Sequence, residues 1–153
     1  MLKNGLHTEY FGNGLKRQEG RTFDGNKEGK WIEWYENGQL LRSTRFRDGL
    51  EHGVRKEWHV NGMLASQGGF RSGRQDGAWT FWFDTGQKKA HSMFYGGLEQ
   101  GVRTTWHENG VKASEANVLD GQQEGSRIFW YENGKVKDCS GGLAKPYSTC
   151  LRC

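Results

Sequence analysis

Apolar positions in this chain come in short clusters that do not follow a helical period. "KWIEWYE" (Lys30–Glu36) and "SRIFWYE" (Ser126–Glu132) are rich in Trp, Tyr, Phe and Ile, the residues that favour strands. Neither alternates cleanly between apolar and polar, which predicts strands with something apolar on both faces. Successive strand residues point to opposite faces, so Trp34 would point one way and Trp31 and Tyr35 the other. Asn-Gly follows the aromatic pair at Asn13-Gly14, Asn37-Gly38, Asn61-Gly62, Asn109-Gly110 and Asn133-Gly134, with Thr85-Gly86 as the variant. Asn-Gly between apolar runs is the strongest short hairpin signal and predicts a type I′ turn, with positive φ at both central residues. A second signal is a Gly-x-x-x-Gly loop: "GNKEG", "GLEHG", "GRQDG", "GLEQG" and "GQQEG", three of them preceded by Asp24, Asp48 and Asp120. The segments left between turns are roughly 7–9 residues, which is strand length and too short for a stable helix.

The clusters repeat. Gly5, Gly29, Gly53, Gly77, Gly101 and Gly125 form one series, and Gly14, Gly38, Gly62, Gly86, Gly110 and Gly134 a second. Gly25, Gly49, Gly73, Gly97 and Gly121 form a third, and every step is 24 residues. Tyr10, Trp34, Trp58, Trp82, Trp106 and Trp130 make an aromatic column in the same register. Phe11, Tyr35, His59, Phe83, His107 and Tyr131 make a column of flat rings beside it, and Phe46, Phe70, Phe94 and Val118 an apolar one that Thr22 begins. The units run 5–28, 29–52, 53–76, 77–100, 101–124 and from 125, where the pattern fades after Asp138. The expectation is an all-β chain: a single-layer, elongated antiparallel β-meander of about twelve strands, hairpin after hairpin. The repeat array occupies 1–138, and 139–153 is an irregular tail that carries cysteines. Cross-strand ring pairs would hold the layer together. Along the slot Trp31, Arg55, Trp79, Arg103 and Arg127, Arg and Trp would stack as cation–π neighbours.

Composition narrows the picture. Only 33% of residues are hydrophobic and mean hydropathy is −0.92, too little aliphatic mass for a thick two-layer core. Aromatics reach 13%, whereas disordered segments are depleted in them. The formal charge of +4 is spread along the chain, without the basic run or stripe that marks nucleic-acid binding. The beginning of the chain has no apolar signal-peptide core and no stretch approaches a membrane span, so the expected address is cytoplasmic.

A unit of the form Gly-x-Trp-x-x-Trp-Tyr-Glu-Asn-Gly-Gln-Leu, then a short strand and an aromatic-x-Asp-Gly turn, resembles the MORN repeat. "GKWIEWYENGQL" (Gly29–Leu40) is the closest match; "GAWTFWFDTGQ" (Gly77–Gln87) and "GVRTTWHENGV" (Gly101–Val111) are recognisable relatives. The units look most like the variant class found in bacterial antitoxin-type (immunity) proteins. The resemblance covers residue 5 to about 138, and makes the array one of six MORN-type hairpin repeats. It implies a non-enzymatic scaffold that binds a partner protein, with an antitoxin or immunity protein that neutralises a toxin as the sharpest version. The alternative it implies is a membrane-surface or phospholipid-binding scaffold. The family brings no catalytic residues.

The residues offer little other chemistry. His59 and His107 occupy a slot that Tyr and Phe also fill, so it asks for a ring rather than for imidazole chemistry. Glu28, Glu51, Asp76, Glu99 and Glu124 would line one sheet edge from the Gly-x-x-x-Gly loops, as solvated charge or as a docking stripe. Cys139, Cys150 and Cys153 have no histidine near them and fall short of the four ligands zinc prefers. No catalytic residue, cofactor or metal is expected. The candidate partner surface is Trp31, Tyr35, Arg55, Trp79, Phe83, Arg103, Arg127 and Tyr131, because Trp, Tyr and Arg are the residue types enriched at binding hot spots. The glycines of the Asn-Gly series are structural turn positions and the Trp34 column is a structural aromatic column. Pairing of two copies through the terminal sheet edges is a further expectation.

Overall fold

A computed structural model describes residues 4–140. They form one open antiparallel sheet, without helix. Its strands are β1 (Gly5–Tyr10), β2 (Lys16–Phe23), β3 (Asn26–Trp34), β4 (Leu40–Arg47), β5 (Leu50–Glu51), β6 (Gly53–Trp58) and β7 (Leu64–Arg71). β8 (Arg74–Trp82), β9 (Lys88–Tyr95), β10 (Leu98–Trp106), β11 (Lys112–Leu119), β12 (Gln122–Trp130) and β13 (Val136–Ser140) complete it. The pairing order is β1-β2-β3-β4-β6-β7-β8-β9-β10-β11-β12-β13, with β5 paired to β4 alone. β5 and β6 together stand where the other units have one long strand, both paired to β4 and separated at His52. The meander of about twelve strands expected from the period is therefore the observed fold. Cys139 lies in β13, while Cys150 and Cys153 fall outside the described residues.

The turns differ from the expectation. Asn13, Asn37, Asn61, Asn109 and Asn133 are absent from the residues with positive φ; only the glycine after each takes it, as at Gly38 (φ 85°). The loop is closed by Gly38 N–H donating to the Tyr35 carbonyl (2.9 Å) and Tyr35 N–H donating to the Gln39 carbonyl (2.8 Å). That is a three-residue loop, a type I turn followed by a left-handed glycine that makes a bulge. Asn37 stays in its ordinary conformation because its Oδ1 accepts the N–H of Gln39 at 3.0 Å, an Asx turn. The type I′ turns lie at the other end of each strand pair. Asp24-Gly25 (φ 51° and 79°), Asp48-Gly49, Ser72-Gly73, Gly96-Gly97 and Asp120-Gly121 have positive φ at both residues.

The Gly-x-x-x-Gly segments are not loops. Their first glycine belongs to the type I′ turn, and the next three residues already pair in the sheet, as Lys27 does with Thr22, except at His52 where β5 ends. The second glycine interrupts the ladder: pairing of β2 with β3 jumps from Glu19↔Ile32 to Arg21↔Glu28, leaving Gly29, Lys30 and Trp31 opposite Gly20. This bulge recurs between β7 and β8, where pairing jumps from Gln67↔Thr80 to Gly69↔Asp76.

The register divides the side chains between two faces of very different character. The first face carries Trp31, Trp79, Ala116 and Val118, all buried, with Thr22, Thr44, Ser66, Ser92, Glu99 and Ser114 buried among them. We call it the covered face. Trp31 is 1% exposed and Trp79 4%. Each lies directly over a glycine: a Cβ on Gly20 would meet the Trp31 ring at 2.2 Å, and one on Gly68 would meet the Trp79 ring at 2.0 Å. The indole N–H donates back across the strand, from Trp31 to the Arg21 carbonyl (2.9 Å) and from Trp79 to the Gly69 carbonyl (3.1 Å). Phe70, Phe81 and Phe94 surround Trp79, with ring centroids at 5.3, 5.9 and 6.3 Å. A layer this thin thus makes its core from two indoles laid flat on backbone.

Where the slot holds Arg, the residue eleven positions earlier, on the preceding strand, is not glycine. Arg55 follows Thr44, Arg103 follows Ser92 and Arg127 pairs with Ala116. The guanidinium turns toward carboxylates: Arg55 ion-pairs with Glu51 (3.1 Å) and with Glu57, and Arg103 with Glu99. The expected Arg–Trp stacking within this slot is not what forms, because a whole strand separates successive members. The cations that sit over rings are instead Lys27 on Trp31 (4.2 Å), Arg55 on Phe70 (5.6 Å) and Arg127 on Phe129 (4.2 Å).

Candidate binding face

Consecutive units are also stitched along their ends, by bonds between residues 22 or 23 apart. Tyr35 Oη donates to the Trp58 carbonyl at 2.8 Å. His59 Nε2 meets the Trp82 carbonyl, and His107 Nε2 the Trp130 carbonyl, both at 2.9 Å. Asn13 Nδ2 reaches the Glu36 carbonyl at 2.8 Å, Asn61 that of Asp84 at 2.7 Å, and Asn109 that of Glu132 at 2.8 Å. At the opposite end the N–H of Gly49 donates to the Lys27 carbonyl (3.0 Å), and Gly73, Gly97 and Gly121 repeat the bond. Tyr35, His59 and His107 of the ring column therefore use their polar atoms to join units, a role that the flat-ring reading missed. The two histidine rings are tied to carbonyls in different units. Among the described residues no group of three or more His, Cys, Asp or Glu side chains is placed to hold a metal ion.

The residues put forward from sequence as a partner surface fall in several places. Trp31 and Trp79 are buried in the covered face, out of a partner's reach. Arg55 and Arg103 are engaged with glutamates on the same face, and Arg127 lies over Phe129. Tyr35 is committed to the Trp58 carbonyl. Phe83 stands at the Thr85-Gly86 turn and Tyr131 at the Asn133-Gly134 turn, with Lys89 and Lys137 over their rings at 5.5 and 5.6 Å. The acidic row also divides. Glu51 and Glu99 face the covered side, opposite Phe46 and Phe94, whereas Glu28, Asp76 and Glu124 alternate to the other side. They are strand residues, not an edge of loop charge.

Electrostatics on the covered face is self-contained. Burial alone would raise the carboxyl groups of Glu57 and Glu99. At Glu57 the guanidinium groups of Arg55 and Arg42 outweigh it, and at Glu99 Arg103 and the Ser92 hydroxyl do. Both are held below the ordinary carboxylate value of 4.5. Glu99 is 8% exposed, and Ser92 Oγ donates to it at 2.6 Å.

The opposite face is open. Leu6, Phe23, Val54, Met93, Tyr95 and Val102 point to it, with exposures from 43% at Met93 to 74% at Tyr95. Lys30, Arg45, Arg47, Lys56, Arg71 and Arg74 stand among them. The tryptophans of the Trp34 column also lie on this side, half-buried, while Tyr10 at its start is exposed. Sequence reasoning missed the contrast between faces because both carry aromatic residues. The available signal was the small residue eleven positions before each tryptophan of the slot, Gly20 for Trp31 and Gly68 for Trp79.

Residues 27–48, 99–120 and 123–139 match the family model described as MORN repeat variant. Each matched stretch is one strand, an Asn-Gly turn and the following strand: β3–β4, β10–β11 and β12–β13. No curated protein matches the sequence. The hairpins β1–β2, β6–β7 and β8–β9 close in the same way, through Phe11, His59 and Phe83, whose N–H groups donate to the residue four positions on at 2.8 to 2.9 Å. The three matched stretches are MORN-variant repeats, and the unmatched hairpins repeat their geometry along the same sheet.

Proposed function

We propose that the chain is a non-enzymatic scaffold whose open face holds a partner protein. The observation that carries this reading is the sorting of apolar side chains. The covered face is closed on itself, while Val54, Met93, Tyr95 and Val102 are left in solvent on the other. Contiguous exposed apolar surface rimmed by polar residues marks interaction sites. An antitoxin or immunity protein that neutralises a toxin by covering it, in the cytoplasm, is the narrowest form of the reading. A second reading has an observation of its own. The cations on the open face suit an anionic membrane surface, to which each contributes about 1 kcal/mol when it lies close.

Affinity capture from the cells that make the protein tests the first reading. The bait is compared with a Met93→Gln/Val102→Gln variant of unchanged unfolding midpoint. A protein captured by the original chain and lost with the variant is the expected result. Equal capture by both removes the open face from the account. Flotation with phosphatidylserine vesicles at physiological salt decides the second reading, and binding that persists there would replace the protein partner with a membrane.

A further inference from the structure

The open face is not uniform along the array. Across β3, β4 and β6 a groove of about 420 Å³ holds three cations, Lys30, Arg45 and Lys56. Ser43 lies at its centre, paired with Ile32 on one side and Lys56 on the other. Trp58 and Leu40 line it toward the Asn-Gly end. No carboxylate lines it, and none of the three cations is engaged by a described carboxylate. Lys30 and Arg45 are direct cross-strand partners on one face. Like charges in that relation destabilise a sheet, so the arrangement works against the fold.

The repeat supplies its own control. Two units further on, the same positions are Ala78, Met93 and Thr104, while the tryptophan is kept as Trp106. One unit on, they are Val54, Gly69 and Thr80, with Trp82. The fold therefore does not require cations in these slots. The other like-charge cross-strand pair, Arg71↔Arg74, has Asp76 against Arg71 at 3.1 Å, a relief that Lys30 and Arg45 lack. A local rule broken at a cost to stability points to function.

We propose that this groove binds an acidic polypeptide segment of the partner, its carboxylates against Lys30, Arg45 and Lys56 and an adjacent apolar side chain against Trp58 and Leu40. The inference rests on the scaffold reading and adds the chemistry of what is held. Charge complementarity selects an anion, and the indole wall selects one with an apolar neighbour. A recess only two strand spacings wide, roughly 10 Å, admits a single extended chain. A flat bilayer would meet the rim of such a recess and leave its floor empty.

The test uses the full chain and a labelled peptide of alternating Glu and Leu, titrated by fluorescence anisotropy. Its Gln-for-Glu counterpart, phosphatidylserine vesicles and a single-stranded RNA are titrated in parallel. The variant is Lys30→Ala/Arg45→Met/Lys56→Thr, which installs the residues that the same fold carries two units on. The expected result is binding of the Glu peptide that weakens about tenfold or more in the variant and in the Gln counterpart, and that falls as salt rises. Lys30→Gln/Lys56→Gln serves as the readout if the triple variant lowers the unfolding midpoint. Failure of the Glu peptide to bind, equal binding by the variant, or variant-sensitive binding of vesicles or RNA instead of peptide overturns the inference. A captured partner that needs Met93 and Val102 but not the three cations would remove this inference and leave the scaffold reading standing.

Discussion

The packing of Trp79 on Gly68 makes a quantitative prediction. A methyl group at Gly68 would lie 2.0, 2.2 and 2.4 Å from Cδ2, Cε2 and Cγ of the indole. Carbon atoms need about 3.5 Å, so the ring must move by roughly 1.5 Å. It has nowhere to slide, because Phe70, Phe81 and Phe94 surround it and its N–H is tied to Gly69. Gly68→Ala should therefore expel the ring. Overpacking alone costs about 1–3 kcal/mol, and loss of a buried Trp about 3–5 kcal/mol. A destabilisation of roughly 3 kcal/mol is expected, a large part of a domain's usual 5–15 kcal/mol. The cost should depend on the partner. In Trp79→Arg with Gln75→Glu, which copies the Arg units, Gly68→Ser should cost less than about 0.5 kcal/mol, since Arg103 already follows Ser92. Urea unfolding of the single and combined variants, followed by circular dichroism, reads both numbers. A cost of Gly68→Ala below about 0.5 kcal/mol, or one for Gly68→Ser that is the same with Trp79 as with Arg, would refute the reasoning.

Other outcomes follow from the same geometry. Tyr35→Phe deletes the donor to the Trp58 carbonyl and should cost about 1 kcal/mol in urea unfolding, while Phe83→Tyr costs nothing comparable. Glu57 and Glu99 titrate below 4.5 in the folded chain, so the unfolded chain binds their protons first as the pH drops. Their contribution is complete above 4.5 and is lost as pH falls through the depressed values. Glu57→Gln/Glu99→Gln should flatten the acid limb of a stability–pH profile, and an unchanged acid limb would count against the covered-face ion pairs.

Much of this was legible in the sequence, and the exceptions have physical causes. The 24-residue glycine series and the Trp34 column identified the meander because turns and strand-end rings must recur wherever identical hairpins stack. Turn type was misread because Asn-Gly suits both a type I′ turn and a type I turn with a glycine bulge. Only the ladder decides, here through the unpaired extra residue Leu41 between Glu33↔Arg42 and Trp34↔Leu40. The Trp/Arg slot was taken for a docking surface because Trp and Arg are common at interfaces. Its burial depends on Gly20 and Gly68 on the neighbouring strand, eleven positions earlier; the spacing is in the sequence, but only the bulged register shows that it lays the indole over the glycine. The stitching by Tyr35, His59 and His107 was hidden because their polar atoms look across units, to residues 23 positions away.

The central claim is a division of labour: the covered face holds the sheet together and the open face binds. One paired measurement tests it, reading partner capture and unfolding free energy together for Met93→Gln/Val102→Gln and for Arg103→Ala/Arg127→Ala. The account predicts that the first variant loses the partner with stability changed by less than about 0.5 kcal/mol. It predicts that the second keeps the partner in proportion to the fraction that remains folded. Loss of the partner from folded Arg103→Ala/Arg127→Ala, with capture intact in Met93→Gln/Val102→Gln, would contradict it and return the binding surface to the Trp/Arg slot.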